Sequence, residues 1–316
     1  MVVGPLVKLY WSESMRVSIR VLGLLLVGLS LPVTAQQPAA KTGVLLLAHG
    51  GQPQWNERVQ DVTRRVNQHM PAEVAFGMAT RANLKTAIDQ LVARGVTNIV
   101  AVPLFISSHS SVITSTEFLL GLRQEAPADL AKFAKMSHAS HSAVGEHAAH
   151  EPAADPASPI VSIVPLRMTP AFNRHALIGA ILADRARSIS TAPVSEAVIV
   201  VAHGPVPEDD NQRWLEDMRV LADHVRKAAP FASVDYLTVR DDAGPAIRDA
   251  ATKELREKVE AQRAAGRRVL IVPHLMSFGG IEKGLLERLK GLDYTMTTQA
   301  LMPDDRIVEW VLASAR

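Results

Sequence analysis

The sequence predicts an α/β protein of two tandem similar lobes, each a four-stranded parallel sheet flanked by helices. Three observations carry this. Two apolar strands end in the same motif, Val44-Leu-Leu-Leu-Ala-His49-Gly and Val198-Ile-Val-Val-Ala-His203-Gly. Each is followed by a helix whose apolar residues share one register. Trp55, Val59, Val62 and Val66 match Trp214, Met218, Leu221 and Val225, with Glu57 and Glu216 at the same solvent-side step. Further on, Ala93-Arg-Gly95 leads into a strand containing Val102-Pro103, and Ala264-Ala-Gly266 leads into one containing Val272-Pro273, so in each half a glycine closes a helix before a strand.

The elements follow in order. Alternating apolar runs and helical periodicities predict strand 43–48, helix 54–70, strand 73–79, helix 83–94, strand 98–105 and helix 114–124. An irregular segment precedes strand 160–167 and helix 171–188. The second half reads as strand 196–202, helix 209–228, strand 233–239, helix 245–264, strand 268–275, helix 282–290, strand 294–301 and helix 304–315. The last pair of each half matches more loosely, Val164-Pro-Leu-Arg-Met168 with Gln299-Ala-Leu-Met302. Strict alternation implies parallel sheets with right-handed crossovers, whose ligands gather at the carboxyl ends of the strands. The lobes are expected at 41–190, with an insertion at 126–159, and at 191–316.

Composition narrows the function. The chain has 316 residues, 47% hydrophobic and only 4% aromatic, which suits aliphatic sheets covered by helices. A net charge of +2, with no basic stripe among aromatics, gives no reason to expect a nucleic-acid partner. Cysteine is absent, which removes thiolate metal sites, disulfides and cysteine nucleophiles together. No nucleotide is expected, since neither a Walker A loop nor a dinucleotide-binding glycine fingerprint occurs.

Residues 1–40 read as an upstream extension and an export signal. From Met15 come Arg16 and Arg20, an apolar run from Val21 to Leu31, then Pro32-Val-Thr-Ala35 before Gln36. This order implies cleavage after Ala35 and a periplasmic location. The apolar run is shorter than the roughly 20 residues a stable membrane span needs. The competing reading is an uncleaved anchor.

The carboxyl-end rule gives His49 and His109 their meaning. His49 lies just past the first strand, and His109 lies just past the third, in Phe105-Ile-Ser-Ser-His109. Two loops of one sheet can therefore aim two imidazoles into one crevice. Imidazole suits cobalt, iron, nickel and zinc, and two ligands leave a metal open to a substrate's own donors. The bland alternative is a strand-end histidine bonded to a carbonyl, with Ser107, Ser108 and His109 capping the next helix.

These motifs, in this order and within a duplicated chain, resemble the class II tetrapyrrole chelatases, the sirohydrochlorin cobalto- and ferrochelatases of the CbiX type. The resemblance spans residues 43–316. It implies a lyase of cobalamin or siroheme biosynthesis that inserts a divalent metal, cobalt, iron or nickel, into a sirohydrochlorin-like macrocycle. The reaction needs no ATP and takes place in the cleft between the lobes. Carried over, the two active-site histidines of the family fall on His49 and His109, as metal ligands, proton acceptors or both. Glu117 is a candidate relay carboxylate or a solvated helix residue. Arg81 and Arg240 follow matched strands and could pair with substrate carboxylates, with Ser107 and Ser108 nearby, or be ordinary surface arginines.

The second half departs from the first. Aligned on Pro103 and Pro273, His109 becomes Gly279, whereas His203 is kept and His274 is added. Catalysis is therefore assigned to the first lobe; a weaker alternative puts a second metal at His203 with Glu282 or His274. The insertion carries His138, His141, His147 and His150, which could capture metal, or it is a polar linker. Export sits awkwardly with cytoplasmic cofactor synthesis, so two classes stay open: an exported chelatase, or a metal-delivery or tetrapyrrole-carrier protein without turnover. A periplasmic solute-binding protein is a third reading that leaves the strand-tip histidines unexplained. The internal duplication supplies the second lobe, so a monomer is expected.

Overall fold

The computed structural model describes residues 40–141 and 155–316. The export signal, His147 and His150 lie outside them. The first half runs β1 (Thr42–Ala48), α1 (Pro53–Asn67), β2 (Ala72–Phe76), α2 (Arg81–Ala93), β3 (Asn98–Pro103), α3 (Ser111–Leu119), α4 (Leu130–His141), β4 (Leu166–Met168) and α5 (Ala176–Ile189). After a single 3-10 turn at Pro193–Ser195 come β5 (Glu196–Ala202), α6 (Glu208–Ala228), β6 (Ser233–Thr238), α7 (Pro245–Ala264), β7 (Arg268–His274), α8 (Ile281–Arg288), β8 (Thr295–Met296) and α9 (Asp305–Ser314). Pro53 and Pro245 open α1 and α7, where a missing N–H costs nothing.

Both sheets are parallel throughout, in the orders β2-β1-β3-β4 and β6-β5-β7-β8. Their registers are equivalent, Leu47 opposing Pro103 and Val201 opposing Pro273. The chain steps from β1 to β2 on one side and then crosses to β3 on the other. That reversal opens a crevice at the carboxyl ends of β1 and β3.

Side chains alternate between the two faces of each sheet. Leu45, Leu47 and Ile99 pack outward against Leu84, Ile88 and Leu91 of α2, and against Leu119, Leu130 and Phe133. Ile199, Val201 and Ile271 do the same against Leu255 and Val259 of α7 and Leu285 of α8. The inward residues, Val44, Leu46 and Val102 on one sheet and Val198, Val200 and Val272 on the other, belong to a single core. Helices α1, α5, α6 and α9 fill the space between the sheets, and the Trp55 and Trp214 registers face into it. Each Val or Leu fully buried there contributes about 1.5–3 kcal/mol.

Two expectations need correction. The 126–159 insertion is not wholly irregular, because Leu130 and Phe133 are buried and anchor α4 against the first sheet. The fourth strands are also much shorter than their apolar runs. In the first lobe Val161 and Ile163 are 87% and 82% exposed, and only Leu166–Met168 pair with β3. These are edge strands, kept short so that few ladder groups stay open.

Polar contacts rivet the halves together. Arg58 donates to the Met302 carbonyl at 2.7 Å, Arg65 meets Asp305 at 2.8 Å, and Arg306 reaches both Asp184 and Asp304 at 2.7 Å. Burial pushes the Asp304 carboxyl up, but hydrogen bonds from Arg306 and the charges of Arg306 and Arg185 outweigh it and hold it below its ordinary value. Its stabilisation is therefore present above the ordinary carboxylate range and lost as pH falls through the depressed value. Glu196, buried where the halves join, is held at about 2. Burial opposes this, and Ser190, the Thr191 N–H and Arg268 overcome it.

Helices α5 and α6, one from each half, pack tightly at Gly179. A Cβ added there would lie 2.5 Å from the His224 ring and 2.8 Å from the His224 Cβ. Gly179→Ala should therefore destabilise the protein by about 1–3 kcal/mol in urea unfolding. Part of that loss should return in the Gly179→Ala, His224→Ala double variant, where the ring clash is removed and only the contact between the two Cβ atoms remains; a single variant as stable as the parent would contradict this packing.

Candidate functional site

The His-Gly motif folds identically at both strand tips. Gly50 and Gly204 follow their histidines at φ +80° and +78°, a turn that disfavours any side chain, and a Cβ on Gly204 would fall 2.5 Å from the Thr238 Cβ. His49 is exposed at the tip of β1, with Nδ1 2.6 Å from the Gly50 carbonyl. A carbonyl only accepts, so Nδ1 carries the proton and, in the neutral ring, the free lone pair lies on Nε2. The turn thus presents one nitrogen of His49 as a base or metal ligand.

The loop after β3 is held more elaborately. Phe172 and Asn173 donate their N–H groups to the carbonyls of Phe105 and Ile106 at 3.1 and 3.0 Å. Asn173, at φ +45°, accepts from the Ser108 N–H at 2.7 Å, and the Ser108 hydroxyl accepts from Ala171 N–H at 2.9 Å. Ser107 is buried and accepts from the His109 N–H at 3.1 Å. The two serines, expected at the substrate, are first of all scaffolding for His109. From the other lobe, the Trp214 indole donates to the His109 carbonyl at 2.8 Å.

His109 therefore sits half-buried where the lobes meet. It lines a cleft of about 280 Å³ with Ser110, Thr114, Asp129, Asp210 and Arg213, the last two from α6. His49 follows the neighbouring strand and is not among the lining residues. Among the described residues no group of three or more His, Asp or Glu side chains is gathered to hold a metal. The arrangement thus offers two strand-tip imidazoles without a closed cage.

Other expected residues do different work. Arg240 is buried at φ +51°, and its guanidinium is taken up by the Pro205 carbonyl at 3.1 Å, the Val206 carbonyl and Glu208. It clamps the loop after His203, with three of its N–H groups taken up inside the protein. Arg81 donates from Nε to the Ser158 carbonyl at 2.8 Å, tying the end of the insertion to α2. Glu117 is half-buried on α3, its carbonyl accepts from the Leu122 N–H at 2.8 Å, and its carboxylate meets no partner among the described residues. Side chains of His138 and His141 lie outside the described residues, although their backbone belongs to α4.

In the second lobe, His203 Nε2 lies 3.4 Å from Asp242, and Ala202 just before it is the register partner of His274. Glu282 accepts the N–H groups of Gly279 and Gly280 at 3.0 and 2.8 Å; burial raises its carboxyl, but these bonds outweigh it and hold it below the usual range. At the position equivalent to His109, Gly279 leaves its Cβ direction 3.6 Å from the Trp55 ring. Each lobe's first-helix tryptophan thus leans on the other lobe's third loop.

Sequence reasoning missed two residues here. Trp214 was read only as a core residue, although its repeat in both halves marked the inter-lobe contact. Asp217 is 8% exposed and stands where the first lobe has Arg58. Its Oδ1 lies 3.8 Å from Arg174, while Oδ2 is buried without a hydrogen bond. Burial raises its carboxyl, with Arg174 and then His109 pulling the other way.

His274 occupies the position that is Leu104 in the first lobe, and neither ring nitrogen has a partner. Burial lowers it to about 4, so it is neutral in the folded protein. The unfolded chain binds the extra proton below its ordinary value of 6.5, and stability is lost as pH falls from there toward 4. His274→Leu should remove this loss, roughly 3 kcal/mol by pH 4. Melting temperatures compared between pH 7 and 4.5 check it; an unchanged pH dependence would show that the ring is not buried neutral.

With this geometry in place, residues 43–189 match the family model CbiX. The fold of both lobes together is that of SirB from Bacillus subtilis with Fe3+, at 14% identity over 87% of this chain and 94% of that one, TM-score 0.58. The sirohydrochlorin chelatase SirB from Bacillus subtilis subspecies spizizenii in complex with cobalt is similar at 12% identity over the same shares, TM-score 0.53. No curated protein matches in sequence.

Proposed function

We propose that the protein inserts a divalent metal, cobalt, iron or nickel, into a sirohydrochlorin-like tetrapyrrole between its lobes without ATP. The observation that carries this reading is the pair His49 and His109 on the carboxyl ends of adjacent strands, where the strand order reverses, in a lobe that matches the CbiX model. Insertion exchanges one divalent cation for two pyrrole N–H protons, so charge balances with no redox partner. His49 offers Nε2 toward solvent and can hand over a metal or take a proton. His109, seated against α6, approaches from the inter-lobe side. The substrate metal needs open coordination sites to accept four ring nitrogens, and two imidazoles leave them.

A second reading, metal or tetrapyrrole delivery without turnover, is favoured by the histidine-rich segment and the export signal. Export with cleavage after Ala35, and work as a monomer, belong to the same proposal; among the described residues no helix is long and apolar enough to cross a membrane. The mature exported protein should begin at Gln36 by N-terminal sequencing.

The test is an anaerobic absorbance assay with sirohydrochlorin and Co2+ or Fe2+. His49→Ala and His109→Ala should each lower the insertion rate at least ~100-fold with unchanged circular dichroism. Replacing His138, His141, His147 and His150 by Ala should alter metal affinity only. Full turnover in the His109 variant would defeat the catalytic assignment, and metal binding with no acceleration by the parent would establish the carrier.

A further inference from the structure

A buried carboxylate without a hydrogen bond is costly, and structure alone does not explain the one at Asp217. The residue is more than nine-tenths buried and its Oδ2 meets no donor. Its partner Arg174 is 67% exposed and stands 3.8 Å away, beyond hydrogen-bond reach. A pair of that length with one solvated member stabilises little, whereas removing a carboxylate from water costs several kcal/mol. The cost falls at a telling place. Asp217 follows Trp214 by three residues, hence lies on the same face of α6, and Trp214 holds the His109 carbonyl at 2.8 Å. Arg174 adjoins Asn173, which fixes the same loop. Arg174 thus ties Asp217 to the segment that holds the His109 loop. The equivalent residue of the first lobe, Arg58, carries the opposite sign and instead donates to a carbonyl, beside a loop that has lost its histidine.

We propose that Asp217, supplied by the second lobe, is a positioning residue for the substrate metal: its negative charge, on the helix face that grips the His109 loop, strengthens the hold of that imidazole on a divalent cation. This rests on the reading of His109 as a metal ligand. It also gives the second lobe a part in the chemistry beyond forming a wall. Metal bound at His109 would compensate the unsatisfied carboxylate, and the exposed Arg174 can swing aside at little cost.

The inference is tested by titrating Co2+ alone into the full chain, at fixed pH, with His138, His141, His147 and His150 replaced by Ala so that they do not compete. Asp217→Asn keeps shape and removes charge; it should weaken Co2+ binding by ~10-fold, and Asp217→Glu should restore most of it. In the His109→Ala background the Asn substitution should have no further effect. The hyperfine-shifted N–H resonance of a cobalt-bound imidazole should persist in Asp217→Asn at higher Co2+ and vanish in His109→Ala. If His109→Ala weakens binding but Asp217→Asn stays within twofold of the parent, Asp217 is only an ion-pair partner of Arg174 and the proposal falls. If His109→Ala itself leaves affinity unchanged, the metal reading of His109 fails and this inference fails with it.

Discussion

The structure depends on one shared layer of helices. Helices α1, α5, α6 and α9 share one core with the inner faces of both sheets. Val44 and Val102 therefore belong to the same continuous core as Val198 and Val272. Separating the lobes would expose that layer on both sides, at about 25 cal/mol per Å² of apolar surface. The contact at Gly179 sets how near α5 and α6 lie, and that spacing sets where α6 presents Trp214 to the His109 loop. A glycine packed against His224 thus sets how α6 runs beside the cleft.

Much of this was legible because the duplication made the sequence its own control. The Trp-Val-Val-Val and Trp-Met-Leu-Val registers, the His-Gly turns and the Val-Pro strand ends each appear twice, and chance seldom repeats a pattern in order. What failed was local. Val161 and Ile163 read as strand because they are apolar, yet strand pairing is decided by a neighbour, and β3 offers only three residues of ladder. The insertion looked too polar and alanine-rich to fold, but two large side chains, Leu130 and Phe133, suffice to seat α4 on an existing sheet. Arg240 was placed correctly at a strand end, but its buried, left-handed backbone turned the guanidinium inward. Asp217 was invisible for a simpler reason: an aspartate on a charged helix looks solvated until the opposite lobe is in place.

The lobes have divided their work. His109 and Gly279 occupy equivalent loops, and so do Leu104 and His274, yet no pair keeps the same chemistry. The first lobe retains the imidazole at the cleft. The second spends its histidines elsewhere, His203 beside Asp242 and His274 inside the core. Its polar groups around His203, Arg240 with Glu208 and Glu282 with the glycine turn, are satisfied internally. On the helix that grips the His109 loop, one carboxylate oxygen of Asp217 is left unsatisfied, as are Asp241 Oδ2 and both ring nitrogens of His274.

The Trp214 indole bond has a consequence for evolution as well as for geometry. In an ancestor made of two identical half-length chains, one substitution would have altered both third loops and both tryptophans at once. After fusion, each indole could answer to a different partner. Trp214 kept a loop with a backbone carbonyl to grip, while Trp55 came to rest on a glycine. Symmetry in the fold was preserved by packing, while symmetry in the chemistry was free to break.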